Sequence, residues 1–442
     1  MSITSFEVQI DKDASLVTPA QEQSIIAALT APGNTFTDVV VISHGWNNDM
    51  DDARTLYRNF FKSLEQVSPA AAGKVLGIEI LWPSKKFADS ELIPGGAASA
   101  NKDSVPDQAV LDRLQDLKHL FADHEADDTL DQMKALVSGL STDTDKQNQF
   151  VSLLGSILDK HSDAAQRSAD EGSATLSAKA ANGGGGKVLK VFGQPVAPKV
   201  KVGGGGAAGV GGIGGNPALR QGGAAGLGDF FQGIKAGALR LANYATYYVM
   251  KDRAGSIGKK AVNPLVSRIQ AAVPGTLKFH LVGHSFGARL VTAVVDGPNA
   301  LRVQSLILLQ GAYSHNGLAV KFDGTHDGYF HAVLDGNKVT GPILITHSKH
   351  DSAVGQSYPL ASRLNGDDAA GIGDANDRFG GMGANGAQHV DKADIPLLPV
   401  GGKYDFAATG KRVINLNGDA IIQDHGDVAR PETAALLAAV LS

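Results

Sequence analysis

The stretch LKFHLVGHSFGARLVTAVVD, Leu277–Asp296, changes its period at one serine. Leu277 to Ser285 is a mostly apolar run of strand length. From Phe286 onward Leu290, Val291, Val294 and Val295 recur at helical spacing. Between the two patterns lies Gly283-His284-Ser285-Phe286-Gly287, the only G-x-S-x-G of the chain. A serine at a sharp strand-to-helix turn needs small neighbours, because the strand and helix backbones must approach closely. The first N–H groups of such a helix are unpaired and face developing negative charge favourably. The alternative is an ordinary strand–helix connection that happens to hold a serine. The position of the pentapeptide between a buried strand and an amphipathic helix argues against that reading.

Further strands surround this one. FTDVVVIS, Phe36–Ser43, is a β-branched run that fits a strand buried on both faces, as in a parallel sheet. It ends in His44-Gly45-Trp46-Asn47-Asn48 and is followed by an amphipathic helix over Asp51–Val67. VLGIEILW, Val75–Trp82, is a second buried strand, stopped by Pro83. After the serine and its helix come strands from Val303 and Pro342, a short helix over Ser357–Asn365, a strand from Arg412 and a last helix, PETAALLAAVL. The alternation predicts an α/β fold: a doubly wound, mostly parallel sheet covered on both faces. SFEVQI, Ser5–Ile10, reads as an added antiparallel edge strand.

The alternation stops between Ser84 and Asp252. Residues Pro106–Ser162 carry three helical stripes, and Phe230–Met250 reads as an apolar helix. Between them, Gly183–Gly228 holds 18 glycines in 46 residues, too few large side chains to offset the ordering entropy. That stretch is expected to be flexible or poorly packed. The division is therefore residues 1–83 and 253–442 as two parts of one α/β domain, with 84–252 as a mainly helical cap. Its helical parts are expected over the C-terminal strand ends, with Phe230–Met250 as a lid, a lipid-contacting helix or a helix packed on the α/β domain.

Serine is a weak nucleophile until a base removes its proton, and the base needs an orienting acid. With Ser285 as nucleophile, the order Ser, acid, base points to residues after later strands. Asp351 follows PILITHS. His425 follows RVINLNGDAIIQD, just before the last helix. Asp374 or Asp377 and His389 are the rivals, in a Gly-rich loop that follows no strand directly. His315, His347 and His350 read as pocket-lining or supporting residues. Two backbone donors are needed for the oxyanion: Phe286, after the nucleophile, and Trp46, in the loop after the first buried strand. His44 reads as a structural, hydrogen-bonded histidine.

HGWNN, GHSFG, HSKHD and the late His425-Gly426-Asp427 resemble the α/β-hydrolase superfamily, in its esterase- and lipase-like part. HGWNN is similar to the oxyanion strand end of bacterial serine hydrolases. The resemblance covers Phe36–Pro83 and Ile257–Ser442. It implies the α/β-hydrolase fold, covalent serine catalysis and no required cofactor. It supplies no substrate, because the superfamily hosts many chemistries. One departure is the insertion, which precedes the nucleophile strand, whereas caps of this superfamily commonly follow the strand after the nucleophile helix.

The expectation is ester hydrolysis through an acyl-enzyme. The aromatic and aliphatic content of the cap favours an apolar acyl group, on a small or lipid-like ester. A serine peptidase or amidase with the same triad stays open, as does a non-catalytic binding protein. No basic excess suggests nucleic acid, since the net charge is −5. The absence of cysteine removes disulfides and thiolate chemistry. Gly183-Gly184-Gly185-Gly186-Lys187 lacks the Ser or Thr of a phosphate loop. The spacing of Asp367, Asp368, Asp374, Asn376 and Asp377 fits no EF-hand, so no metal is expected. No signal peptide and no run of ~20 apolar residues is evident. A cytoplasmic protein is the expectation, with signal-independent export and peripheral lipid contact left open.

Overall fold

A computed structural model describes residues 2–46, 48–84, 105–118, 120–121, 123–161, 176–193, 233–336, 338–351, 353–354 and 380–441. Its contacts divide the chain into two units. Of the described residues, those within Phe87–Asp252 form one unit and the rest form the other.

In chain order the elements are β1 (Thr4–Gln9), α1 (Ala20–Thr30), β2 (Asp38–Ser43), α2 (Met50–Val67) and β3 (Val75–Leu81). Then come α3 (Asp107–Leu117), α4 (His124–Val137), α5 (Thr144–His161), α6 (Leu176–Ala181), α7 (Gly185–Gly193) and α8 (Ile234–Ile257). After α9 (Asn263–Ala272) follow β4 (Lys278–His284), α10 (Phe286–Val295), β5 (Ser305–Leu309), β6 (Ile343–His347), β7 (Lys392–Pro396), β8 (Val413–Asn417) and α11 (Pro431–Ala438).

The first unit is built on one eight-stranded sheet of order β1-β3-β2-β4-β5-β6-β8-β7, with every pairing parallel. β2 and β3 are buried along their whole lengths, as their unbroken apolar runs require. Alternate residues face opposite ways. Val40, Ile42, Val282, Ile307, Leu309, Leu344, Ile414 and Leu416 pack with Tyr57, Phe60, Phe61 and Leu64 of α2 and Leu436 and Leu437 of α11. The intervening Val39, Val41, Leu281, Leu306, Leu308 and Ile345 are buried on the other face. α10 packs against β4, β2 and β5 and against the segment leading into α9, and α1 packs on α9. Helices thus cover both faces.

The chain runs from β2 outward to β3, then re-enters on the other side of β2 as β4. Such a reversal opens a crevice beyond the carboxyl ends of the two strands. Ser43 pairs with Gly283 there, which sets His44-Gly45-Trp46 beside His284-Ser285.

Two expectations need correction, and one strand escaped the sequence reading. β1 pairs with β3 in parallel, not antiparallel: Thr4 lies opposite Leu76 and Gln9 opposite Leu81. An edge strand's alternation does not encode its direction. β7, KADIP, is an unforeseen strand at the other edge. Its proline and two charged residues obscure it, and its order comes from pairing with β8. The Gly-rich stretch is also not uniformly unstructured, because Gly185–Gly193 is the helix α7, with Val188, Leu189 and Phe192 buried.

In the second unit every described element is a helix. α5 packs against α4, α6 and α7. A Cβ on Gly237 of α8 would collide with the carbonyl oxygen of Leu189, so glycine is what lets α8 and α7 touch by their backbones. The Gly-rich stretch beyond Gly193, residues 230–232, the helix over Ser357–Asn365 and the acidic group from Asp367 to Asp377 lie outside the described residues. No described helix is long and apolar enough to cross a membrane.

Candidate active site

Ser285 stands at the end of β4 with φ 58° and ψ −122°, a conformation that a residue with a side chain rarely adopts. Its N–H donates to Leu309 O at 3.1 Å, and its carbonyl accepts from Ala288 N and Ala312 N, each at 3.1 Å. The turn is over-determined by β5 and α10. It also depends on Gly287, where a Cβ would stand 2.2 Å from Ser43 O and 2.5 Å from His44 O. The start of α10 therefore lies directly against the end of β2. Ser285 is 3% exposed.

The loop after β2 is held by a buried imidazole. His44 Nε2 accepts from Trp82 N–H at 3.2 Å, so Nδ1 carries the proton and donates to Gly45 O at 2.9 Å. Trp82 Nε1 donates back to His44 O at 3.1 Å, and the two rings stack at 5.3 Å. His44 N–H donates to the Tyr57 hydroxyl at 2.8 Å, which in turn donates to Ile80 O. Burial pushes His44 down to about 4, so it is neutral at physiological pH. His44 is structural, and it fixes the peptide before Trp46. Trp46 and Phe286 are both buried, with ring centroids 6.1 Å apart. Asn48 Nδ2 donates to the carbonyls of Gly45 and Trp46 at 3.3 and 3.2 Å.

Asp351 and His425 come from the loops after β6 and β8. His425 Nδ1 lies 2.9 Å from Asp351 Oδ2, with the residues 6% and 1% exposed. The other Asp351 oxygen accepts from Val354 N–H at 3.0 Å. Ser348 Oγ donates to Ile422 O at 3.0 Å and ties the two loops together. The His425 ring lies against that of His284, centroid to centroid 4.9 Å. His284 is the residue before Ser285, so the histidine–aspartate pair meets the serine turn. Among the described residues Ser285 Oγ makes no hydrogen bond to the His425 ring. In serine catalysis this contact commonly tightens only in the substrate complex.

The rivals lie elsewhere in the network. His389 Nδ1 is 2.8 Å from Asn316 Oδ1, and its φ is 53°. His315 is fully buried, with Nδ1 accepting from Asn385 Nδ2 at 3.3 Å. His347 ends β6 and is pushed down by burial. His350 donates its N–H to Ser348 Oγ at 3.1 Å. Asp374 and Asp377 lie outside the described residues.

Two features have no sequence motif. Gln310, at the end of β5, is a fully buried non-glycine residue with φ 42°. Its amide donates to His425 O at 3.2 Å and Asp424 O at 3.3 Å, while its Oε1 accepts from Thr346 Oγ1 at 3.1 Å. Far from Ser285 along the strands lies a second Ser–His–Asp set. His280 Nδ1 is 2.8 Å from Ser305 Oγ, and Nε2 is 3.0 Å from Asp38 Oδ1. All three are fully buried at the starts of β2, β4 and β5, where no substrate reaches. This set pins three neighbouring strands.

No cluster of three or more metal-ligating side chains exists among the described residues. Comparison with family models, curated proteins and solved structures finds no match to the chain.

Proposed function

We propose that the chain is a serine hydrolase of the α/β-hydrolase type that cleaves carboxylic esters through an acyl-enzyme. The observation that carries this reading is the positive-φ turn at Ser285, abutted by the His425–Asp351 pair at the switch point of a parallel sheet. In this reading His425 Nε2 takes the Ser285 hydroxyl proton as Oγ bonds to the ester carbon. The carbonyl electron pair moves onto oxygen, where the N–H groups of Trp46 and Phe286 receive it. Collapse of the adduct expels the alcohol, which leaves with the proton from His425. Water then attacks the acyl-enzyme by the same steps and releases the acid and free Ser285. Asp351 keeps the proton on Nδ1, so that Nε2 presents a lone pair, and it stabilises the imidazolium. The buried aromatic pair Trp46–Phe286 favours an apolar acyl group next to the nucleophile.

The test is reaction with a fluorophosphonate followed by peptide mass analysis, then turnover of p-nitrophenyl esters of graded chain length beside peptide anilides. Covalent modification at Ser285 with ester turnover is expected. No modification, or modification at another serine, sinks the reading. Turnover of anilides without esters makes the chain an amidase.

A further inference from the structure

We infer that His284 and Gln310 are positioning residues that hold the candidate base His425 by its main-chain carbonyl. The inference rests on the proposed role of His425 in ester hydrolysis.

His284 Nε2 lies 2.9 Å from His425 O. A carbonyl oxygen only accepts, so Nε2 carries the proton and donates. Gln310 Nε2 donates to the same oxygen at 3.2 Å. The two donors project from the ends of neighbouring strands, β4 and β5, where His284 pairs with Leu309. The oxygen belongs to a residue eight positions from the last strand residue paired with β6, Asn417. His425 is thus reached through a loop, and its backbone has no ladder to fix it. The rigid sheet supplies that fixing through two side chains.

The chemistry of His284 fits this role and no other in the site. Burial, and then the neighbouring His425, push it down to about 3, so it is neutral at physiological pH. A neutral imidazole has one N–H, and here it is committed to His425 O. Its Nδ1 meets no hydrogen-bond partner among the described residues. A phenyl ring would fill similar space, so the feature that only the imidazole supplies is the donor. Gln310 carries a second sign of constraint. Its backbone is left-handed, and Thr346 Oγ1 accepts from its N–H at 3.1 Å while donating to its side-chain oxygen. The amide is therefore oriented with nitrogen toward the base. The grip fixes the position of the His425 backbone, and Asp351 fixes the rotation of its ring. Both are required if Nε2 is to meet Ser285 Oγ.

The test compares His284→Phe, which keeps the ring and loses the donor, with His284→Gln, whose amide nitrogen reaches about as far as Nε2. The readouts are the second-order rate of fluorophosphonate labelling, kcat and KM on a short p-nitrophenyl ester, and the downfield Nδ1–H resonance of His425. His284→Phe is expected to lose ~10–100-fold in labelling rate and kcat, with KM nearly unchanged and the resonance broadened or lost. His284→Gln is expected to recover most of each. Labelling of His284→Phe within about twofold of the unchanged protein overturns the inference, as does an equal loss in both variants. If the unchanged protein labels nowhere, the hydrolase reading fails. The resonance then decides the positioning role alone: kept in His284→Gln and lost in His284→Phe upholds it, kept in both overturns it. Should His284→Phe not fold, Gln310→Leu removes the other donor and is judged by the same readouts.

Discussion

Gly45 and Ser285 face each other so closely that a Cβ on Gly45 would stand 2.5 Å from Ser285 Cβ and 3.0 Å from its Oγ. The missing side chain at the end of β2 is what leaves the serine hydroxyl its space. Gly45→Ala must therefore move the turn or rotate the hydroxyl. A displacement near 1 Å is enough to cost ~10²-fold in a positioned reaction. The expected result is a loss of about that size in fluorophosphonate labelling, with the far-UV spectrum unchanged. Labelling at the rate of the unchanged protein would mean that Gly45 does not border the reacting hydroxyl.

The proposed acid and base are separable from the proposed nucleophile by the size of their expected effects. Ser285→Ala and His425→Ala are each expected to lose ~10⁶-fold in kcat, and Asp351→Asn ~10⁴-fold, because an orienting group is partly dispensable. Asp351 has a second partner, Val354 N–H, which holds the side chain in place when one oxygen becomes an amide. Stopped-flow turnover on one ester measures all three. Wild-type turnover by Ser285→Ala ends the assignment, and a larger loss for Asp351→Asn than for His425→Ala reverses the two roles.

Acid stability follows from the buried histidines. His44 and His284 sit near 4 and 3 in the folded chain and near 6.5 when it is unfolded. Above 6.5 both states are neutral, so neither residue makes stability depend on pH. As pH falls from 6.5 towards 4, the unfolded chain takes up protons that the folded chain refuses, and stability is lost. Each residue contributes on the order of a few kcal/mol to that loss. Urea unfolding between pH 7 and pH 4.5 should show a falling midpoint. In His44→Gln the proton uptake on unfolding should be smaller by about one. An unchanged slope in that variant would show that His44 titrates normally in the folded protein.

The strands that place the serine were legible because they are fully buried. Val39–Ile42 and Leu281–Val282 are continuous apolar runs, and a run of that kind between turn residues has few other readings. Asp351 and His425 were legible by position, each after a strand, and the structure sets them 2.9 Å apart. What escaped depends on partners distant in the chain. The order of β7 lies in its pairing with β8. In α7 the glycines mask a stripe of Val188, Leu189 and Phe192, which becomes a helix face only against its neighbours. Gln310 has no motif, because its role is set by Thr346 and by a carbonyl 115 residues away. The Asp38–His280–Ser305 set is invisible for the same reason, since its members meet only once the parallel sheet has formed.

That second set gives a control that separates architecture from chemistry. It has the same three residue types as the candidate triad, but it sits at the opposite ends of the strands and is fully buried. Ser305→Ala should leave the labelling rate of Ser285 within about twofold, because β4 and β5 keep their register through the main-chain ladder. His280→Phe should act on stability instead. It removes the imidazole nitrogen that lies 3.0 Å from the fully buried Asp38 carboxylate. Losing a buried hydrogen bond of this kind costs about 1–3 kcal/mol. Thermal unfolding of the two variants, with labelling measured on the folded fraction, tests both halves. A loss of labelling in Ser305→Ala at unchanged melting temperature would make the buried set part of the reaction and would displace Ser285 from its proposed role.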